Sequence, residues 1–274
     1  MYREAQMPEM NEVPIKDWMA YDAEVSRMLD DFQAKRSVGT GSVSHPLFRG
    51  QADQRWSLFT TLERVSTKPW SVKSYYRLLL SVAPAIVSLT TREWDLDQDA
   101  EVDEGRHGPP PGYDFMIYLR HHGFPSPLLD WSRSPYVAAF FAFARRPQPH
   151  CDTVAIFAFR EHVGYGKSWS DDGPRIVGLG PYSVTHERHY SQQCEYTICK
   201  KRVDDSYLYC HHEEALGDRI VAQDLLTKYV IPVTERGRFL RKLESMNIHA
   251  YSLFRDESSL MQTLAYQEIE KDDL

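Results

Sequence analysis

Arg49 stands between Phe48 and Gly50, and its planar guanidinium suits paired hydrogen bonds to a phosphate or carboxylate. The plain alternative is an ion pair with Asp130 that pins two strands. Asp130, Trp131 and Ser132 precede a proline and an alanine-rich run; Trp131 reads equally as core, and Ser132 as a helix N-cap. Gln193, Cys194 and Glu195 open an apolar stretch with Tyr196, where Glu195 also reads as an exposed strand residue. His121 and His122 can exchange protons near neutral pH, or simply close a helix and bond the following loop. The run His211, His212, Glu213, Glu214 has metal-ligand residue types, but adjacent histidines point apart on a helix, so a solvated turn is expected.

Several chemistries are excluded by what the sequence lacks. It has no Gly-x-Gly-x-x-Gly, Walker loop, His-Glu-x-x-His or Gly-x-Ser-x-Gly. Cys151, Cys194, Cys199 and Cys210 show no Cys-x-x-Cys spacing, so reduced structural thiols and no metal site are expected. The net charge of −7 argues against broad coating of nucleic acid. Lys200-Lys201-Arg202 and the group Arg236, Arg238, Arg241, Lys242 read as solvated faces rather than a basic groove. No apolar run reaches the length of a membrane helix, and the first residues carry no apolar signal core, so a cytoplasmic protein without membrane contact is expected.

These candidates need elements to hold them. With 274 residues, 42% of them hydrophobic, the chain can bury a sizeable core as one domain over 1–274. Residues 1–44 lead in as a helix over 15–36, started by Pro14 or Asp17, and a glycine-serine loop. HPLFRGQ predicts a short strand running into a turn, with Gly50 supplying backbone freedom. Residues 72–90 predict a helix kinked or bounded by Pro84, and 95–112 an acidic, Pro/Gly-rich surface loop. A helix over 113–122 closes at Gly123, and SPYVAAFFAFAR predicts a buried helix with Pro135 in its first turn. TVAIFAFR, CEYTICKK, TKYVIPV and HAYSLF predict strands, 164–185 a mobile loop, and 234–246 and the region after Glu257 helices. Helices and strands intersperse without βαβ repetition, which predicts an α+β fold with a mixed, split sheet flanked by helices.

Three blocks carry a resemblance. FRGQADQRWSLFTTLER (48–64), RHHGFPSPLLDWSRSPYVAAFFAF (120–143) and RHYSQQCEYTI (188–198) are together similar to the FRG domain family, and the tail order of KYVIPV, basic helix and YSLF agrees. The resemblance runs from about residue 13 to the C-terminus. The chain departs from the family at Ser126 and Pro127, where a threonine and arginine are usual, and at Cys194 and Glu195, where a glycine and an apolar residue are usual.

The chain also resembles, over shorter motifs, ADP-ribosyltransferases of the arginine-serine-glutamate type. Their order of motifs is met by Arg49, by Asp130-Trp131-Ser132 before the alanine-rich helix, and by Gln193-Cys194-Glu195 before an apolar strand. That resemblance implies an ADP-ribosyltransferase-like fold using NAD⁺ as substrate. Arg49 and Gly50 would hold the diphosphate, and Ser132 would hold the ribose or support Glu195. Glu195 would bond the ribose 2′-hydroxyl and stabilise the oxocarbenium-like cation. Gln193, on the same strand face as Glu195, would meet the acceptor. Asp130 and His122 would join the NAD⁺ site, and Trp131, Tyr190 or Tyr196 would stack on nicotinamide.

The expected function is thus mono-ADP-ribosyl transfer by a toxin or defence effector. An antitoxin-like neutralising protein is the expected partner, and the acceptor is single-stranded nucleic acid or protein. The alternatives are a non-catalytic module that binds a nucleotide or protein partner, and an NAD⁺ glycohydrolase or nuclease.

Overall fold

The computed structural model describes residues 11–39, 42–99, 101–164, 167, 173–181, 183, 185–216 and 223–271. Its strands are β1 (Asn11–Pro14), β2 (Leu47–Gln51), β3 (Leu129–Ser132), β4 (Thr153–His162), β5 (Arg175–Gly178), β6 (Cys194–Val203), β7 (Ser206–Tyr209) and β8 (Gln223–Pro232). Its helices are α1 (Trp18–Val38), α2 (Thr61–Val65), α3 (Val72–Thr90), α4 (Tyr113–His121), α5 (Pro135–Phe143), α6 (Glu187–Ser191), α7 (His212–Ala215), α8 (Arg236–Ser245), α9 (Ala250–Phe254) and α10 (Glu257–Ala265).

The strands form one sheet in the order β1-β8-β4-β2-β3-β6-β5, with β7 also on β6. Only β1–β8 is parallel among these pairs, so the sheet is mixed. It is continuous rather than split. Its two halves nonetheless meet weakly: β2 and β4 pair over five residues and β3 and β6 over four, whereas β2 and β3 share the single pair Phe48↔Ser132. This seam positions the site.

Alternation along the strands sorts side chains to two faces. On one face Phe48, Val154, Ile156 and Ile231 pack against α1, α5 and α8. Tyr196 and Ile198 continue the row toward α3 and α4, where Tyr75, Leu79 and Ile117 cover them. Leu47, Leu129, Trp131, Phe157 and Phe159 fill the opposite face with Leu58 and Ala215. Helix α5 starts where Ser134 accepts a hydrogen bond from Val137 N (3.2 Å) and Pro135 supplies a helix-ready φ.

The structure corrects several expectations. Helix α3 spans the expected residues and runs through Pro84, so of the two expectations for that residue, kink or boundary, the boundary falls. HAYSLF is helix, not strand: His249 and Ser252 form a reciprocal cap that turns the run into α9. Strand β5 lies inside the stretch expected as a mobile loop, of which 165–166, 168–172, 182 and 184 fall outside the described residues. The described residues of the 95–112 segment form no helix or strand, yet the segment is strapped down: Lys200 Nζ donates to Glu104 O (2.6 Å) and Arg106 O (2.9 Å). Lys200 and Arg236 are therefore buried and are not members of solvated strips. His212 and Glu213 are buried too, with Glu213 Oε1 accepting from Leu58 N (3.0 Å), so α7 is a packed helix and not a solvated turn. No described helix is long and apolar enough to cross a membrane.

Candidate functional site at the sheet seam

Because β2 and β3 pair only at Phe48↔Ser132, a gap opens beyond that point, and Arg49 turns into it. Its Nη1 donates to the main-chain oxygen of Asp130 (2.7 Å) and lies 3.4 Å from the Asp130 carboxylate. Arg120, from α4, donates to the other carboxylate oxygen (2.8 Å). Burial alone would raise the Asp130 carboxyl's pKa; the charges of Arg120 and Arg49 outweigh it and hold it well below the usual carboxylate range. Burial lowers the pKa of Arg49, against the pull of Asp130. The Nε atoms of Arg49 and Arg120 are buried without a protein partner, so donor capacity is left over beside the gap.

A cavity of about 200 Å³ occupies this seam. Arg49, Gly50, Asp130 and Ser132 line it together with Arg64, Arg145 and Trp56, three residues that no sequence motif marks as a site. Arg64 and Arg145 are exposed and form no ion pair among the described residues. Trp56 is an exposed indole at 42% of its surface. The cavity thus offers three guanidinium groups and a flat apolar platform against one carboxylate that is already paired twice. Such a set of groups has the chemistry to hold an anion with a planar group beside it.

Gly50 lines the cavity for a different reason from the one expected. It lies within β2 at no left-handed φ; a Cβ there would stand 1.9 Å from Ala138 O and 2.6 Å from Ala142 N. Its missing side chain lets α5 lie on the strand. Ser132 is not the cap of α5 either: its Oγ donates to Gln192 O (2.7 Å) and accepts from Ser134 N (3.0 Å), tying β3 to the turn before β6.

The other expected site residues are distributed around the cavity rather than in it. Trp131 is core: it stacks on Phe159 (5.4 Å between ring centres) and donates from Nε1 to Thr197 Oγ1 (2.9 Å). Its indole has no open face for nicotinamide, although it forms part of the cavity wall. Tyr196 is wholly buried, with its hydroxyl on His121 Nε2 (2.9 Å), so it cannot stack on a ligand there. Tyr190 is exposed on α6, its hydroxyl bonding Ser183 O (2.7 Å), and His122 is exposed against Tyr118 and His186; neither lines the cavity. Gln193 precedes β6 in a left-handed conformation (φ 50°), so it shares no strand face with Glu195 and instead lines a separate depression with Ser134, Ser191 and Leu253.

Glu195 is the decisive case. It pairs with Trp131 across β3–β6, and Arg49 pairs with Phe157 across β2–β4, so both side chains start on the face that holds Trp131 and Phe157. They share a face but not a cleft. The Glu195 carboxylate is nearly buried and ion-paired with Arg133 Nε, and it is not among the residues lining the cavity.

Comparison with known proteins adds a family to this geometry. Residues 44–151 match the family model of the FRG domain. The FRG match covers β2, α2, α3, α4, β3 and α5, and so contains Arg49, Gln51, Arg64, Arg120, Asp130 and Ser132. Arg145 falls within the match as well; Gln192, Cys194 and Glu195 lie outside it. No curated protein and no solved structure matches the chain.

Proposed function

We propose that the FRG-domain seam binds the phosphates of a nucleotide. The observation that carries this is the cavity itself: three arginines converge on a concave site in which the only carboxylate is neutralised by Arg49 and Arg120. Phosphate oxygens accept paired hydrogen bonds from a guanidinium fork, and the base can lie on Trp56 at the rim. A volume of about 200 Å³ suits the phosphates, with the rest of the nucleotide lying over the exposed edge. Titration with ADP, followed by Trp56 fluorescence or calorimetry, tests the reading. Arg64→Ala and Arg145→Ala should each weaken ADP by roughly 5- to 100-fold, as charge-assisted hydrogen bonds are removed. Neither change should alter stability, because both side chains are exposed and unpaired. ADP affinity unchanged in both variants would dismiss the proposal.

A second reading, ADP-ribosyl transfer from NAD⁺, is favoured by one alignment. Extending the Phe48↔Ser132 register by a residue sets Arg49 opposite Trp131, which pairs with Glu195. Arg49, Trp131 and Glu195 thus lie on adjacent strands and the same face, an arrangement in which a diphosphate held by Arg49 points its ribose toward Glu195. Transfer then requires Glu195 to leave Arg133 when substrate arrives. The acceptor in this reading is single-stranded nucleic acid or protein, and a toxic enzyme would have a neutralising partner. Label transfer from biotinylated NAD⁺ lost in Glu195→Gln but kept in Arg133→Ala supports it; nucleotide binding without nicotinamide release or transfer leaves the binding module as the function.

A further inference from the structure

The geometry points to a zinc site formed by His121, His189 and Cys194, with its open coordination position toward the seam cavity. The three residues come from different elements, the end of α4, α6 and the start of β6, yet one ligand atom from each lies within 4.8 Å of the others. Among the described residues no other group of histidine, cysteine, aspartate and glutamate side chains is so arranged. Sequence spacing gave no metal site because folding, not a local Cys-x-x-Cys or His-x-x-x-His turn, brings these ligands together.

His189 supplies the independent observation. It is 98% buried (2% exposed), and its Nε2 meets Pro181 O at 2.8 Å. A carbonyl can only accept, so Nε2 carries the proton and Nδ1 is left with a bare lone pair. That Nδ1 is buried and has no hydrogen-bond partner. An imidazole with one nitrogen donating to a backbone carbonyl and the other unpaired is the arrangement that orients a metal-bound histidine. His121 is held by the Tyr196 hydroxyl on Nε2 (2.9 Å), and Tyr196 in turn lies parallel to the His189 ring at 5.9 Å between centres. The Cys194 sulfur makes a long contact, 3.7 Å, to Gln192 Oε1 and also interacts with the Tyr196 hydroxyl. Two imidazoles and a thiolate select zinc among the common divalent ions; a thiol gives up its proton on binding.

Three protein ligands leave a fourth tetrahedral position, and Cys194 is itself part of the cavity wall. A water, or an oxygen of a ligand held by the seam arginines, can complete the shell there. Cys194 is shared with the cavity wall, but the groups proposed to hold phosphate are Arg49, Arg64 and Arg145, none of them a zinc ligand, so either proposal can fail alone.

The test is metal binding by the full chain. The metal-free protein is titrated with Zn²⁺ and, as a spectroscopic probe, with Co²⁺. The expected result is about one zinc per chain, a thiolate-to-cobalt charge-transfer band and tetrahedral d–d bands, together with a higher thermal midpoint in zinc. Cys194→Ser should lose the charge-transfer band, and His189→Asn should lose zinc retention, while Cys151→Ser, at a thiol remote from the cluster, should keep both. Should Cys194→Ser fail to fold, His189→Asn and His121→Asn carry the same readout. Folded wild-type protein that shows no thiolate-to-cobalt band overturns the assignment, as does Cys194→Ser with the wild-type band.

Discussion

Arg49 Nη1 reaches the main-chain oxygen of Asp130 at 2.7 Å, across the one place where the two halves of the sheet share a single residue pair. The guanidinium takes the place of ladder hydrogen bonds that β2 and β3 do not make. The same group is thus both a fastener of the sheet and the floor of its cavity. Removing it should be felt in stability and in binding together.

The stability part is specific. Asp130 keeps Arg120 when Arg49 is removed, and its side chain is 36% exposed, so the cost falls short of that for a fully buried pair. Arg49→Ala should cost about 1–3 kcal/mol. Asp130→Ala leaves two guanidinium groups without their counter-charge and should cost more than Arg49→Ala, though its partial exposure keeps the loss below the roughly 3–5 kcal/mol of a fully buried pair. Urea unfolding of both variants checks the order; equal and negligible losses would mean that the pair behaves as a surface ion pair.

Gly50→Ala probes why the strand carries a glycine. The added methyl would meet backbone atoms of α5 at 1.9 and 2.6 Å, so the helix must move as a body. We expect a loss of at least about 2–3 kcal/mol, visible in the urea midpoint. A mild effect would show that α5 shifts freely on β2.

Acid should weaken the protein in two stages. Burial depresses His212 to a pKa of about 3, aided by the nearby charges of His211 and Arg49. A histidine depressed on folding is neutral in the native state, so its contribution is complete above the unfolded value of about 6.5 and is lost as pH falls from there toward 3. Asp130 is also depressed, and its contribution is complete above about 3.9 and lost only below that. Urea midpoints should therefore fall between pH 7 and pH 5, and His212→Gln should lessen that fall, with His121, likewise depressed by burial to about 4, keeping part of it, while leaving the loss below pH 4. An unchanged slope in the variant would show that other groups set the first stage.

How much of this could be read in the sequence depends on the range of the interaction. Strands β2, β4, β6 and β8 and helix α5 announce themselves through β-branched and aromatic runs, alanine content and Pro135, all local signals. HAYSLF misleads because an aromatic run of that length fits a strand until His249 and Ser252 are seen to cap each other. The Arg49–Asp130 pair was legible as an alternative, and the seam confirms that contact. Arg64 and Arg145 had a faint signal, one closing the first resemblance block and the other following α5, but only the fold shows that they converge. The place of Glu195 was not legible: it depends on Gln193 leaving strand geometry at φ 50° and on Arg133 turning back to the carboxylate. The meeting of His121, His189 and Cys194 likewise depends on the packing of α4, α6 and β6.

The most direct test of the seam as a nucleotide receptor is calorimetric titration of wild type and Arg49→Ala with NAD⁺ and ADP, under conditions where both proteins are shown by circular dichroism to be folded. Binding of at least one nucleotide by wild type, weakened by roughly 100-fold or more in Arg49→Ala, is the predicted result. Equal binding by the two proteins, or no binding of either nucleotide by wild type, would contradict the account.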